Sequence, residues 1–409
     1  MHEPVIRFEG VCKGFNGKVV LKDVDLKIYS GQVTVLIGKS GVGKSVLLKH
    51  IIGLLKPDSG EIYFKEKPLS KMDRAAMFTL KSRFSYMFQN NALFDSMNVY
   101  ENIALPLSEK TGLDQNKIRE KVIERTTQLE IADVLEKYPS QISGGMQKRV
   151  ALARALITDP EIVLFDEPTT GLDPIRKNAV LNMIAHYQRK LGFTAVVVSH
   201  DIPDVFYIAD KVAIIDSHGI IFDGTPVVLE QSADPEIQAF LNSVELLKDD
   251  LTGLDNRKEF MVSFRQLRNS IRLGEHFGFL LLTLDGLDEV GEHVGHIAAQ
   301  HIIQNISDGL AAELGDRGRA LRIGKNEIAA YFQVSDSNEI EAFRTAMLDR
   351  IRSMKQLTEG SDHPGYMNFC INLGVAEIDE YPDLQALIMA ARDDEQHMVC
   401  PLREEKEKS

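Results

Sequence analysis

Nowhere does the 409-residue chain hold an apolar run approaching the roughly 18 to 20 residues that a helix needs to span a bilayer. Its opening, MHEPVIRFEG, lacks the charged-then-apolar order of a secretory signal. Together these absences predict a cytoplasmic chain that meets a membrane only through a partner. Positive charge is also scarce: 47 Lys and Arg stand against 60 Asp and Glu, a formal net charge of −13. Binding a nucleic-acid duplex requires cations that displace counterions, so nucleic acid is excluded as an expected partner. The three cysteines, Cys12, Cys370 and Cys400, are odd in number, far apart and without metal-ligand spacing. They predict ordinary thiols in a reducing compartment. No internal repeat and no low-complexity tract is apparent.

With 44% hydrophobic residues, the chain has apolar material for two cores and is too long for one typical core. Val33–Ile37, Glu161–Phe165 and Ala195–Ser199 read as short buried strands, and Lys44–Leu54 and Pro174–Leu191 as helices between them. That alternation predicts an α/β core with a mainly parallel sheet. Ahead of it, VIRFEGVCKGF and VVLKDVDLKIYSG alternate in part and predict an antiparallel pair. An amphipathic helix over Pro235–Leu247 closes this region. After a charged linker at Lys248–Asp250, LTGLDNRKEF opens a second α/β region that runs to about Arg403, and REEKEKS reads as a solvated tail.

Between the first strand and the first helix lies Gly38-Lys39-Ser40-Gly41-Val42-Gly43-Lys44-Ser45, a P-loop pattern in the context that pattern requires. Glycines let backbone N–H groups turn onto a polyphosphate, and the helix N-terminus adds partial positive charge. Lys44 has the reach for the terminal phosphates, and the Ser45 hydroxyl suits magnesium. A Gly/Ser/Lys surface turn would explain the composition but not the flanking strand and helix. Such a site needs a carboxylate for the metal and a group to position water. IVLFDEP supplies Asp166 for the first and Glu167, as general base, for the second.

The stretch QISGGMQKRVALARAL, lying between these motifs, resembles the signature of the ATP-binding cassette ATPases. Ser143, Gly144 and Gly145 occupy its Ser-Gly-Gly turn; Met146 departs from the family's usual Gln, and Gln147 follows it. The resemblance implies a homodimer in which each Ser-Gly-Gly turn meets the γ-phosphate bound by the other copy. It further implies that Gln89 is the Q-loop residue contacting magnesium and linking to the permease, that Asp173 belongs to the D-loop, and that His200 senses the γ-phosphate. Phe15 falls where the family stacks an aromatic on adenine, although a lone aromatic there is as often core.

Within that family, GKSVLLKHIIGLLKPDSG, FQNNALFDSMNVYENIALPL and the Met in SGGM resemble the ATPases of Mla/Mce-type lipid transporters, over about Val5 to Leu241. The implied function couples ATP hydrolysis to phospholipid movement through a separate integral-membrane permease. A substrate-binding lipid-transport protein would belong to the same complex, and this chain would lie on the cytoplasmic face of the inner membrane. The cargo follows from analogy alone.

The second region resembles GGDEF domains, which join two GTP molecules into cyclic di-GMP: DDLTGLDNRKEF, FLLLTLDGLDEVGEHVGH, RIGKNEIAAYF and NLGVAEI appear in that family's order. Its chemistry needs carboxylates for two metal ions and polar groups for guanine. Here the signature reads Gly324-Lys325-Asn326-Glu327-Ile328, and only Gly324 and Glu327 match. Aligned on Gly295-His296, the metal aspartate falls at Thr283, the guanine asparagine at Gly291 and a further aspartate at Gln300. The product-inhibition residues fall near Gly315 and Gly318. Asp285 and Asp288 read as part of a solvated loop. The implied domain is non-catalytic, serving dimerisation, permease contact or regulation.

The expected fold is therefore α/β, with a P-loop cassette at residues 1–245 made of a RecA-like core, an antiparallel β subdomain and a helical subdomain. A smaller GGDEF-like α/β domain at 246–403 and a charged tail at 404–409 follow. The cofactors implied are ATP and Mg2+. A soluble signalling ATPase without transport is the alternative reading. The surface around Gln89–Leu107 decides between them, since ALF and IALPL there suit either docking or core.

Overall fold

The computed structural model describes residues 4–39, 41–87, 92–199, 202, 204–244, 249–255, 257–270, 276–336, 338–353, 369–394 and 398–400. Ser40, Gln89 and His200, three of the expected site residues, lie outside them, as does the charged tail. Two compact units emerge: Met1–Leu172 with Val180–Val244, and Asp173–Ala179 with Glu245–Ser409.

The first unit opens with strands β1 (Pro4–Phe15), β2 (Lys18–Tyr29) and β3 (Val33–Ile37), helix α1 (Lys44–Ile51), and strands β4 (Ser59–Phe64) and β5 (Lys67–Pro68). It continues through α2 (Arg74–Ser82), β6 (Phe84–Met87), α3 (Val99–Lys110), α4 (Gln115–Gln128), α5 (Gly144–Leu156), β7 (Ile162–Asp166), α6 (Pro174–Leu191) and β8 (Thr194–Ser199). Strands β9 (Lys211–Asp216) and β10 (Gly219–Gly224) and helices α7 (Pro226–Gln231) and α8 (Pro235–Val244) complete it.

Its six-stranded sheet has the order β10-β9-β3-β8-β7-β6, parallel throughout except for the β9–β10 pair. Parallel strands covered on both faces read as continuous apolar runs, and every residue of β3 and β8 is buried. The alternation is nonetheless functional. Val35, Ile37, Val163, Phe165 and Val197 enter the core under α3, α4 and α5. Leu36, Ile162, Leu164 and Val196 enter the opposite core, with Leu47 and Leu48 of α1 and apolar residues of β1, β2 and β4. Strands β2-β1-β4-β5 form a separate antiparallel sheet, and the β1–β2 register runs from Pro4↔Tyr29 to Phe15↔Lys18. Helix α1 ends three residues before the expected Leu54, because Gly53 turns to positive φ (64°) and its N–H returns to the His50 carbonyl.

The second unit comprises α9 (Arg257–Ser270), β11 (His276–Asp285), α10 (Leu287–Val290), α11 (His296–Leu314), β12 (Gly318–Arg322), β13 (Glu327–Val334), α12 (Asn338–Ser353), β14 (Cys370–Glu377), α13 (Leu384–Asp393) and β15 (Met398–Val399). Its sheet, β12-β13-β11-β14-β15, is antiparallel at every pairing. Leu280, Leu282 and Leu284 of β11 face one core, with α11 and α12. Phe277, Phe279 and Leu281 face the other, with α9 and α13.

Two expectations need correction here. Cys370 and Cys400 are joined by a disulfide, leaving Cys12 as the free thiol among the described residues. The register Ile371↔Val399 places the two cysteines opposite one another, their Cα atoms 4.3 Å apart, a relation that their 30-residue separation conceals. Asp285 and Asp288 do not lie in a solvated loop: Asp285 closes β11, and Asp288 sits in α10 paired with Lys325. Among the described residues no helix is long and apolar enough to cross a membrane.

Candidate nucleotide site

Strand β3 ends at Ile37, and the chain turns through Gly38–Gly43 into α1. Two of these glycines hold left-handed backbone, Gly41 at φ 79° and Gly43 at φ 117°, conformations that a side chain would strain. At Gly38 space is decisive, since a Cβ there would meet the Ile215 carbonyl oxygen at 2.4 Å. Helix α1 starts at Lys44 with no side chain capping its first turn, so its N-terminal N–H groups face the loop. The Lys44 ammonium is buried and donates to the carbonyls of Gly38 (2.6 Å) and Lys39 (3.1 Å). Burial lowers its pKa, an effect opposed by the nearby charges of Glu167 and Asp166. Ser45, beside it, is exposed.

Across the sheet, β7 delivers Asp166 and the chain places Glu167 just beyond. Glu167 has φ 48°, uncommon for a non-glycine residue, and its N–H is fixed on the Val198 carbonyl (3.0 Å). Its carboxylate accepts from the Thr170 hydroxyl (3.1 Å) and lies 3.9 Å from the Lys44 ammonium. Asp166 accepts a 2.5 Å hydrogen bond from the Tyr86 phenol on β6. Burial, then this bond, pushes the Tyr86 pKa well above the ordinary phenol value. Neither Tyr86 nor Thr170 is among the residues that the sequence motifs single out.

Phe15 ends β1 with 42% of its surface exposed, and the Lys13 ammonium lies 5.5 Å from its ring centre. It is therefore a surface aromatic and not core. Ser143 caps α5 by accepting from the Met146 N–H (3.3 Å), and Ser143, Gly144 and Gly145 are all exposed. Met146 packs partly buried against the helical core, and the Gln147 amide donates to the Pro139 carbonyl (2.8 Å), so both side chains after the turn serve the cassette's own packing. Asp173 caps α6, accepting from the Arg176 N–H at 3.0 Å. The structure thus brings Gly38, Lys39, Gly41, Val42, Gly43, Lys44, Ser45, Asp166 and Glu167 around one loop and strand end. Ser143–Gly145 stand at a separate helix terminus.

In the second unit, the turn between β12 and β13 carries Gly324, Lys325 and Asn326. Buried Arg322 ties it down, donating to the carbonyls of Gly324 (3.2 Å) and Lys325 (3.1 Å). Lys325 forms an ion pair with Asp288, and Glu327 pairs with Arg392 at 2.6 Å. Thr283 stands opposite Glu327 across β11 and β13, and Asp285 accepts from the Asn372 amide at 2.7 Å. A side chain on Gly291 would bring its Cβ to 2.7 Å from the His296 ring. Gln300 is buried, and its amide oxygen has no partner among the described residues.

A parallel sheet with a glycine-lined turn at the head of its first crossover helix, a buried lysine and an Asp-Glu pair at the end of a strand two places away define a P-loop ATPase. The capped Ser-Gly-Gly helix start narrows the class, and the chain belongs to the ATP-binding cassette transporter ATPases. Residues 21–170 match the family described as ABC transporter, and residues 246–397 match the diguanylate cyclase GGDEF domain.

Among relatives, the chain is 37% identical over 227 residues to the intermembrane phospholipid transport system ATP-binding protein MlaF of Escherichia coli, covering 56% of this chain and 84% of that protein. It is also 37% identical over 237 residues to the probable ribonucleotide transport ATP-binding protein mkl of Mycobacterium tuberculosis, covering 58% and 66%. Among solved structures, cbiO1 of Clostridium perfringens, part of the ABC transporter complex cbiONQ, superposes with a TM-score of 0.53 at 30% identity. That match spans 59% of this chain and 95% of the other.

Proposed function

We propose that this ATPase drives phospholipid movement through a separate integral-membrane permease, working as a homodimer on the cytoplasmic face of the inner membrane. A lipid-binding transport protein completes the complex in this reading. Residues 1–245 form the motor, 246–403 a non-catalytic GGDEF-like partner domain, and 404–409 a tail. One observation carries the transport reading: an apolar groove of about 530 Å³ on the first unit, whose walls include Leu54, Phe84, Phe94, Leu105 and Pro106. Phe94 is 48% exposed, while Ile103 and Leu107 from the same segment are core. The stretch that suits either docking or core thus contributes to the core and also leaves Phe94 exposed for a partner in this reading.

The P-loop residues fit a nucleotide polyphosphate. Gly38 and Gly43 let the loop pack closely on the chain behind it, Gly41 faces open space, and Lys44 can exchange its two carbonyl partners for phosphate oxygens. When bound, Mg2+ would neutralise charge between the terminal phosphates, held by Ser45, Asp166 and, outside the described residues, Gln89. Phe15 offers its exposed face to adenine. Glu167 takes the proton of the attacking water as the bond to ADP breaks, and its strained backbone and Thr170 fix its direction. Ser143–Gly145 complete the site of the opposite copy, Asp173 belongs to the contact between copies, and His200 senses the γ-phosphate.

The non-catalytic reading of residues 246–403 is supported by Thr283 and Asn326 standing where carboxylates are required, and by cations, Lys325 and Arg392, on the remaining acids. Cyclic di-GMP appearing when the full chain is given GTP and Mg2+ would overturn it.

The decisive experiment isolates the Glu167→Gln chain from its own detergent-solubilised membranes, with a Glu167→Gln/Phe94→Asp chain alongside. The expected result is a multi-span permease with bound phospholipid, lost in the second chain. Recovery of soluble proteins alone would establish a signalling ATPase instead, and recovery of a permease with nucleotide cargo would retain the motor and reject the lipid.

A further inference from the structure

At the far end of β11 from Asp285, the second unit gathers three potential metal donors. His276 opens β11, Glu377 closes β14, and Asp379 follows in the next turn. The pairing Gly278↔Glu377 brings these two strand ends alongside each other. The His276 Nδ1 atom lies 2.9 Å from Glu377 Oε1, and one donor atom from each of the three residues lies within 4.8 Å of the others. His276 and Glu377 are half-buried and Asp379 is exposed, so an ion has both walls and an entry.

We propose that His276, Glu377 and Asp379 form a binding site for a borderline divalent transition metal of the zinc class. Donors held about 2.0–2.2 Å from such an ion stand about 3–4 Å from one another, so closing this triad around one demands small side-chain movements and no change of strand register. Two carboxylates brought this close repel, and a dication turns that repulsion into attraction. One imidazole with two carboxylates suits zinc better than magnesium, which prefers all-oxygen shells and retains its water. Water completes the coordination. The site is separate from the Thr283–Glu327 region, which lies about 23 Å away along the extended strand. Its effect is to fasten the start of β11 to the end of β14, bracing the sheet where the chain enters it.

The test is a calorimetric titration of Zn2+ into the full-length chain, with Cys12 alkylated and excess Mg2+ present, repeated on His276→Ala and Asp379→Asn. Asp379 is exposed, so its substitution leaves folding intact even if the histidine variant fails to fold. Each variant is expected to lose affinity for one Zn2+ per chain by about ten-fold or more, and Zn2+ is expected to raise the melting temperature of the unaltered chain alone. If Asp379→Asn takes up Zn2+ as the unaltered chain does, the three-residue site is wrong, and the His276–Glu377 contact is simply a surface hydrogen bond.

Discussion

Tyr86 donates a 2.5 Å hydrogen bond to Asp166, crossing from β6 to the adjacent β7. This bond sets the rotamer of the carboxylate proposed to hold magnesium. Tyr86→Phe preserves the ring's packing and removes only the donor. Partners of metal ligands typically contribute ten-fold or more to metal affinity. The Mg2+ concentration for half-maximal ATP hydrolysis is therefore expected to rise about ten-fold in Tyr86→Phe, with turnover at saturating Mg2+ changed by less than about two-fold. An unchanged Mg2+ titration would mean that Tyr86 merely fills space.

Glu167 combines φ 48°, an anchored N–H and the Thr170 hydroxyl. Glutamine at this position keeps the size and the acceptor oxygen but cannot take a proton. Glu167→Gln is expected to lower turnover by about 10²- to 10⁴-fold, the usual contribution of a general base, while leaving ATP affinity intact. Phosphate release and equilibrium ATP binding measure the two quantities. A parallel fall in both would assign Glu167 to binding and leave the base unidentified.

What the sequence disclosed and what it concealed divide along a physical line. The P-loop, the Asp166-Glu167 pair and the Ser-Gly-Gly turn are contiguous runs whose chemistry depends on local backbone, so their spacing is visible in one dimension. Tyr86 and Asp166 are 80 residues apart and meet because β6 lies next to β7 in a sheet whose order is not the chain order. The same holds for Arg392 on Glu327, for Lys325 on Asp288 and for the Cys370–Cys400 bond. The bridge depends on strand register and the two ion pairs on how a helix packs against a strand end or turn, relations that apolar patterning constrains by face but not by partner. Periodicity also disclosed the buried strands of the first sheet. It could not reveal that the second sheet is antiparallel throughout, because alternating helices and strands suit either arrangement.

Asn102 illustrates a buried polar residue that holds a surface in place. Fully enclosed in α3, it accepts from the Phe94 N–H (2.8 Å) and donates to the carbonyls of Phe94, Met97 and Asn98 at 3.0 Å each. This knot fixes the loop that presents Phe94 at the groove. Asn102→Ala leaves those backbone groups enclosed without their partner, a loss of about 1–3 kcal/mol. Urea denaturation of the first unit's signal is expected to shift to lower concentration by that amount, and copurification of the proposed permease is expected to fall. Unaltered stability would show that water replaces the amide and that the knot is not needed.

The disulfide offers the sharpest division between the sequence expectation and the fold. Three reduced thiols and one thiol plus one bridge are distinguished by counting. Non-reduced protein unfolded in denaturant is expected to react with one equivalent of thiol reagent, at Cys12, and with three after reduction. Because the bridge closes a loop of 30 residues, chain-entropy reasoning assigns it about 3–4 kcal/mol. Replacing Cys370 and Cys400 by alanine is therefore expected to lower the unfolding transition of the second unit and leave that of the ATPase unit in place. Calorimetry of the full chain separates the two. Three reactive thiols before any reductant is added would restore the sequence expectation and show that the facing cysteines remain unbonded.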